Sequence, residues 1–78
     1  MGGIKMMYLA EYTHLVNGAT WGRKDHEIEA DSDDEAKTIA FEFEQNYDDG
    51  HEGSELLLGY VYDKNGKIIW GYGDDRPE

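Results

Sequence analysis

The sequence predicts an α+β fold in the order β-β-α-β-β, a four-stranded antiparallel sheet with one helix packed on one face. Three observations predict it: two β-rich segments joined by Asn17-Gly18, one capped segment with helical periodicity after Ser32, and two more β-rich segments joined by residues 63–66. The short connections favour antiparallel pairing. At 78 residues the chain is too short for two ordinary domains, so we expect residues 1–78 to form a single small acidic domain.

The first hairpin is predicted from residues 5–16 and 20–30, which are rich in Tyr, Leu, Val, Thr and Ile. Asn17-Gly18 between them is a preferred two-residue turn, and its type I′ form would place Met7 opposite Ile28. Because Ile28 leads into the helix, its side of the hairpin should face the core. That side carries Met7, Leu9 and Ile28. The other side, expected to be exposed, carries Tyr8, Tyr12, His14, Trp21 and Arg23.

The helix is predicted by Ser32-Asp33-Asp34-Glu35, which has the spacing of a capping box. The acidic residues of this first turn are favoured there by the helix dipole. The apolar residues that follow recur at helical spacing and define a core-facing stripe: Ala36, Ile39, Ala40, Phe43 and Tyr47. We therefore expect a helix over residues 33–46 that ends in residues 47–50, where Gly50 can adopt a positive φ.

The second hairpin is predicted from residues 55–62 and 67–72, which flank Asp63-Lys64-Asn65-Gly66. A three-residue loop with Gly66 in the left-handed region would set Asp63 opposite Lys67, whereas a two-residue loop would oppose Lys64 and Lys67. We prefer the three-residue loop. Residues 73–78 are expected to form a frayed tail.

The composition limits the classes of partner. The formal net charge is -11, so direct binding to nucleic acid or to an anionic membrane is disfavoured and a basic protein surface is favoured. The chain has no cysteine, which suits a reducing compartment. It also lacks an apolar run long enough for a signal peptide or a membrane span, so we expect a cytoplasmic protein. Whether Met1-Gly2-Gly3 is native or a cloning scar stays open.

No catalytic or metal centre is predicted. The histidines lie in separate segments without metal-ligand spacing, and residues 48–52 form a polar loop that suits a connector better than a cation site. The chain has two serines, of which one is the helix cap, and no glycine-rich phosphate loop. We therefore expect a protein that is not an enzyme and has no cofactor.

An acidic segment is the main candidate for partner binding. Residues 31–55 contain ten carboxylates and one base, Lys37, and such a field can steer a domain toward a basic groove. A solvated helix face without a partner is the alternative. Phe41 lies outside the apolar stripe and is expected to be an exposed contact residue, or else to pack on a loop or a second copy.

The predicted partner-binding residues belong to two groups. The acidic segment contributes Asp33, Asp34, Glu35, Phe41, Glu42, Glu44, Asp48 and Asp49, and the outer sheet face contributes Tyr8, Tyr12 and Trp21. If the sheet face is apolar enough, a homodimer formed through it is the simplest alternative to a different partner.

The junction between strand and helix reads Ile28-Glu29-Ala30-Asp31-Ser32-Asp33-Asp34-Glu35-Ala36-Lys37-Thr38-Ile39-Ala40, between an opening hairpin and a closing hairpin that ends in Trp. In this layout the chain resembles small phage-encoded proteins, including some type I anti-CRISPR inhibitors. The resemblance implies a stoichiometric inhibitor that occupies a nucleic-acid-binding surface of a bacterial defence complex. Proteins of this layout can use basic surfaces, from which this chain departs, so no contact residue is carried over. Its acidity would suit mimicry of DNA or RNA.

Overall fold

The computed structural model describes residues 5–74. Along the chain the elements are β1 (Met6–Val16), β2 (Ala19–Ala30), α1 (Asp33–Gln45), β3 (Ser54–Tyr62) and β4 (Ile68–Gly71). The strands form one sheet in the order β2-β1-β3-β4, and every neighbouring pair is antiparallel. The predicted four-stranded antiparallel sheet and single helix are confirmed. In the described part of the chain there is no helix with the length and apolarity that a bilayer crossing requires.

The first hairpin has the predicted turn and a different register. Asn17 and Gly18 have φ values of 53° and 83°, as a type I′ turn requires. Beyond the turn Leu15 pairs with Thr20, but the next pair is His14 with Gly22. Trp21 is therefore an extra residue in β2, a β-bulge that shifts all later pairs by one position.

This shift reverses the faces of β1, so the predicted orientation was wrong. Ile28 is buried as expected, but it pairs with Tyr8 and not with Met7. Since neighbouring residues of a strand point to opposite faces, Tyr8 and Tyr12 turn toward the core while Met7 turns away from it. Tyr8 and Tyr12 are 3% and 1% exposed, whereas Met7 is 42% exposed.

Helix α1 begins as the cap predicts. The Ser32 hydroxyl accepts a hydrogen bond from the Glu35 backbone N–H at 3.2 Å. The Glu35 carboxylate accepts in turn from the Asp31 N–H at 2.9 Å, one residue before the position that a capping box uses. The helix ends at Gln45 with Asn46 as its C-cap, and Gly50 has the predicted positive φ of 83°.

The core lies between α1 and one face of the sheet. Its buried residues are Tyr8, Ala10, Tyr12, Ile28, Ala30, Ala36, Ala40, Phe41, Leu56, Leu58, Val61 and Trp70. Small alanines on α1 allow close approach to the strands, and the Tyr12 hydroxyl donates to the Ala40 carbonyl at 2.8 Å. Phe43 stacks on His26 with ring centroids 3.9 Å apart. On the covered face of the sheet, aromatic rings thus surround the buried alanines of α1.

The second hairpin has the preferred three-residue loop. The Asp63 N–H donates to the Lys67 carbonyl at 2.8 Å and the Gly66 N–H donates to the Asp63 carbonyl at 2.9 Å. Gly66 has a φ of 80°, as predicted. The first residues of the predicted tail form a turn, in which the Asp74 N–H donates to the Gly71 carbonyl at 2.9 Å. The rest of that tail and the Met1-Gly2-Gly3 question lie outside the described residues.

Candidate protein-binding site

The sheet face opposite α1 carries side chains in rows that the strand register defines. Across one row Glu27 pairs with Leu9, Leu9 with Tyr62, and Tyr62 with Ile68. Directly paired residues of antiparallel strands point to the same side, so these four side chains are neighbours on one surface. The row therefore changes from charged at the β2 edge to apolar over the other three strands.

In the next row the charged residues extend over two strands, β2 and β1. Asp25 pairs with Glu11, Glu11 with Tyr60, and Tyr60 with Gly71. A Cβ built on Gly71 would lie 3.3 Å from the Tyr60 ring, so the ring covers the glycine and packs across the β3–β4 pair. Arg23, which pairs with Thr13, reaches into this row and places its guanidinium 3.9 Å from the Glu11 carboxylate.

We call the apolar part of this face the aromatic patch, and it consists of Met7, Leu9, Leu57, Tyr60, Tyr62, Ile68 and Tyr72. Met7, Tyr60, Ile68 and Tyr72 are 42%, 41%, 50% and 70% exposed. A groove of about 290 Å³ is lined by Leu57, Tyr60 and Tyr72 of the patch, together with Thr13, Leu58 and Gly59. Groups of exposed apolar side chains of this kind mark interaction surfaces in soluble proteins.

The patch is bordered on β2 by a line of carboxylates that we call the acidic column, namely Asp25, Glu27 and Glu29. All three are exposed and occupy alternate positions of the strand, on the same side as the patch. Tyr62 of the patch reaches toward β1, where its hydroxyl is 3.5 Å from the Glu11 carboxylate. Burial, followed by the charge of Glu11, raises the pKa of Tyr62.

The carboxylates predicted from the acidic segment fall into two sets. Asp34, Glu42 and Asp48 are exposed, and of these Asp48 also accepts a hydrogen bond from the Gly50 N–H within the loop. Others are engaged within the fold: Asp33 accepts from the Tyr8 hydroxyl at 2.8 Å, and Glu44 accepts from the Leu58 N–H at 2.6 Å. The helix thus presents part of the predicted acidic field to solvent and uses the rest to hold the helix on the sheet.

Three residues that were predicted to be exposed contacts have their side chains in the core. Tyr8 and Tyr12 are buried as a result of the bulge, and Phe41 is only 6% exposed. Phe41 packs edge-on against Trp70 of β4, with ring centroids 5.0 Å apart. Strand β4 extends the sheet beneath the side of α1 that carries Phe41, which lies outside the predicted apolar stripe. Trp21, at 73% exposed, is available to a partner as expected.

A polar cluster lies where the loop after α1 meets the first hairpin. Asp49 accepts from the Ser54 hydroxyl at 2.8 Å and from the Tyr47 hydroxyl at 3.3 Å, and His14 Nε2 lies 3.5 Å from the same carboxylate oxygen. The other oxygen accepts from the His51 N–H at 2.9 Å. The His51 N–H and then the Ser54 hydroxyl lower the pKa of Asp49, so the carboxylate is ionised.

The cluster contains Ser, His and Asp, yet its hydrogen bonds are not those of a nucleophilic triad. The Ser54 hydroxyl donates to Asp49, and His14 Nε2 is 2.7 Å from the same hydroxyl oxygen. In a triad the serine donates to the imidazole and the carboxylate binds its other nitrogen. Among residues 5–74 there is also no group of three or more His, Asp or Glu side chains arranged to hold a metal ion. The geometry suits a role in holding the loop.

The aromatic patch was not predicted, although Tyr60 and Tyr62 stand at alternate positions of β3. That signal was ambiguous because the intervening position, Val61, is also apolar.

No protein-family model matches the chain, and it matches neither a curated protein nor a solved structure.

Proposed function

We propose that this chain is a non-catalytic binding module that recognises a basic surface of another protein. The observation that carries the proposal is the acidic column directly beside the exposed aromatic patch. A partner that fits both would combine basic residues with an apolar centre, since charge complementarity sets orientation and aromatic contacts supply binding energy. The more specific form of this proposal is that the module is a cytoplasmic inhibitor of a nucleic-acid-binding protein. It occupies that protein's nucleic-acid-binding site, and its carboxylates take the positions of the phosphates of the nucleic acid.

The proposal is tested by capturing partners from a bacterial lysate with matched variants. Asp25→Lys/Glu27→Lys/Glu29→Lys reverses the acidic column, and Asp34→Lys/Glu42→Lys/Asp48→Lys makes the same change in net charge on the α1 side. We expect the column variant to lose the captured protein and the α1-side variant to retain most of it. Equal loss from both would show that only total charge matters and would overturn the assignment of the surface.

The inhibitor form has its own test. A duplex or single-stranded nucleic acid that is the natural ligand of the captured protein should compete with the module for binding. If both bind at once, the module does not occupy the nucleic-acid site, and the inhibitor form is wrong even where the basic partner is right.

A second candidate is a homo-oligomer formed through the aromatic patch, favoured by the exposure of Tyr60, Ile68 and Tyr72. The two candidates respond oppositely to salt. Two copies that each carry a charge of -11 repel, so added NaCl should strengthen self-association, whereas it should weaken binding to a basic partner. Sedimentation equilibrium of the purified protein at low and high NaCl distinguishes them: a monomer at both would remove the homo-oligomer.

A further inference from the structure

Trp21 is a second exposed aromatic site, apart from the aromatic patch. As the bulge residue of β2 it has no cross-strand partner in the register, and its side chain is 73% exposed. Its nearest ring is the imidazole of His14, edge-on at 6.5 Å. His14 also contacts Tyr47 and Ser54, so Trp21 stands beside the polar cluster at the tip of the first hairpin. Tryptophans in such positions are common among the residues that dominate binding energy.

A small cavity opens next to Trp21. It has a volume of about 200 Å³ and is lined by His14, Val16, Trp21, Asp49, His51 and Glu52. Cavities that hold a whole small-molecule ligand measure roughly 300–1,000 Å³. The space beside Trp21 therefore suits the end of one side chain better than a complete small molecule.

The lining combines one exposed indole and two carboxylates with two imidazoles and a valine. The side chain of Asp49 is 25% exposed and its pKa is lowered by the hydrogen bonds described above, while Glu52 is exposed. A cation near the face of an indole is attracted by the ring electrons, and a nearby carboxylate adds a charge-assisted contact. The chemistry of the cavity selects a positively charged group that also has apolar methylenes.

The loop that carries both carboxylates is held in place without a ligand. The Gly50 N–H donates to Asp48 at 2.8 Å, and the Asn17 N–H of the first turn donates to the Gly53 carbonyl at 2.9 Å. The first bond orders the loop internally, and the second joins the loop to the hairpin tip. A preformed site of this kind loses little conformational entropy on binding.

We infer that this cavity binds the cationic end of an arginine or lysine side chain of the partner, between the Trp21 indole and the carboxylates of Asp49 and Glu52. The inference rests on the proposed function in taking the partner to be basic. It concerns a different surface, because the cavity lies at the hairpin tip on the side of His14, which shares the helix-covered face of β1 with Tyr12.

The test uses the full chain and small probes, so it needs no identified partner. N-acetyl-arginine amide and N-acetyl-lysine amide are titrated into ¹⁵N-labelled protein at about pH 8, above the ordinary titration range of imidazole. The amide signals of Val16, His51 and Glu52 are followed. N-acetyl-norleucine amide has a similar length without the charge and is the control probe.

We expect saturable shifts with the cationic probes and none with the norleucine probe. Trp21→Ala should weaken binding about tenfold or more, and Glu52→Gln about three- to tenfold. The matched controls are Tyr72→Ala, which removes an aromatic side chain from the aromatic patch, and Glu27→Gln, which makes the same charge change in the acidic column. Both should bind the probes as the wild type does.

Equal shifts with norleucine, unchanged binding by Trp21→Ala, or equal weakening by Glu27→Gln and Glu52→Gln would each overturn the inference. The outcome of this probe titration does not depend on the outcome of the partner capture. Cationic probes can bind at Trp21 while partner capture ignores the acidic column, and the reverse can also occur, so the two failures are distinguishable.

Discussion

Gly53 illustrates how one residue joins two elements. Its φ is 83°, a region that L side chains rarely adopt, and a Cβ built on it would overlap the side chain of Asn17. Its carbonyl accepts from the Asn17 N–H. The glycine thus permits the loop after α1 to approach the first turn, next to Val16 and Glu52, which line the Trp21 cavity.

Gly53→Ala should lower the free energy of unfolding by about 1–3 kcal/mol, because it combines backbone strain with a steric overlap. Gly50→Ala is the matched control, since Gly50 has the same φ of 83° with nothing within 4 Å of the added Cβ. Urea denaturation of both variants measures the difference. Equal losses would mean that the contact with Asn17 contributes nothing.

The protonation of Tyr8 is coupled to the free energy of unfolding. Burial, followed by the hydrogen bond to Asp33 and its charge, raises the pKa of Tyr8 to about 12. Below pH 10 the tyrosine is protonated in both the folded and the unfolded chain. Above that pH the unfolded chain releases the proton first, so the folded chain binds more protons and stability falls as the pH rises.

We expect the free energy of unfolding to decrease between about pH 10 and pH 12, and to decrease less steeply in Tyr8→Phe. Burial and the charge of Glu44 also raise the pKa of Tyr12, so some decline should persist in that variant. Urea denaturation at pH 8, 10 and 11 makes the comparison. Parallel declines in wild type and Tyr8→Phe would contradict the assignment to Tyr8.

Among the elements, α1 and β4 depend on each other through Phe41 and Trp70. Both residues are buried, and their rings pack edge-on. Strand β4 has only four residues, Ile68–Gly71, and pairs with β3 along one edge, and this ring contact packs it against the helix. Phe41 is thus a buried structural residue of the helix.

Phe41→Ala should lower the free energy of unfolding by about 3–5 kcal/mol, the usual range for removing a buried ring. Glu42→Ala, at the next and exposed position of α1, should change it by less than about 0.5 kcal/mol. Thermal or urea unfolding monitored by circular dichroism measures both. A Phe41→Ala protein as stable as Glu42→Ala would place the ring outside the core.

For the whole molecule, the charge of -11 opposes compaction because the carboxylates repel one another at short range. Salt screens this repulsion, with a Debye length of about 10 Å at 0.1 M. The acidic column concentrates three of these charges on one exposed strand. The folded state is stable in isolation only to the extent that burial of the core offsets this repulsion. Binding of a basic partner would reduce the repulsion.

The Tm should therefore rise with NaCl concentration, by about 4–8 °C for each kcal/mol of repulsion that is relieved. Glu27→Gln/Glu29→Gln should raise the Tm at low salt and reduce its dependence on NaCl. Differential scanning calorimetry at low and moderate NaCl checks both points. A Tm that falls as NaCl is added would show that attractive ion pairs, such as Lys37 with Asp34, outweigh the repulsion.

Local chemistry in the sequence determined the ends of the elements. Asn17-Gly18 gave the first turn, Ser32 the helix cap, Gly50 a turn after the helix and Gly66 the second loop, because each feature depends on the φ or the hydrogen bond of one or two residues. These constraints act within a few positions of the chain, so they could be read without knowing what lies across the sheet.

The tertiary structure alone decided which face of β1 is buried. Tyr8, Leu9 and Ala10 are all apolar, so the alternation of residues in β1 does not show which face is buried. The bulge at Trp21 changes the register with β2, and Tyr8 and Tyr12 then face the core. The same is true of Phe41, whose burial depends on Trp70, a residue distant in the chain. The aromatic patch and the Trp21 cavity follow from these long-range pairings, because the register between strands, and not the pattern within one strand, brings their side chains together.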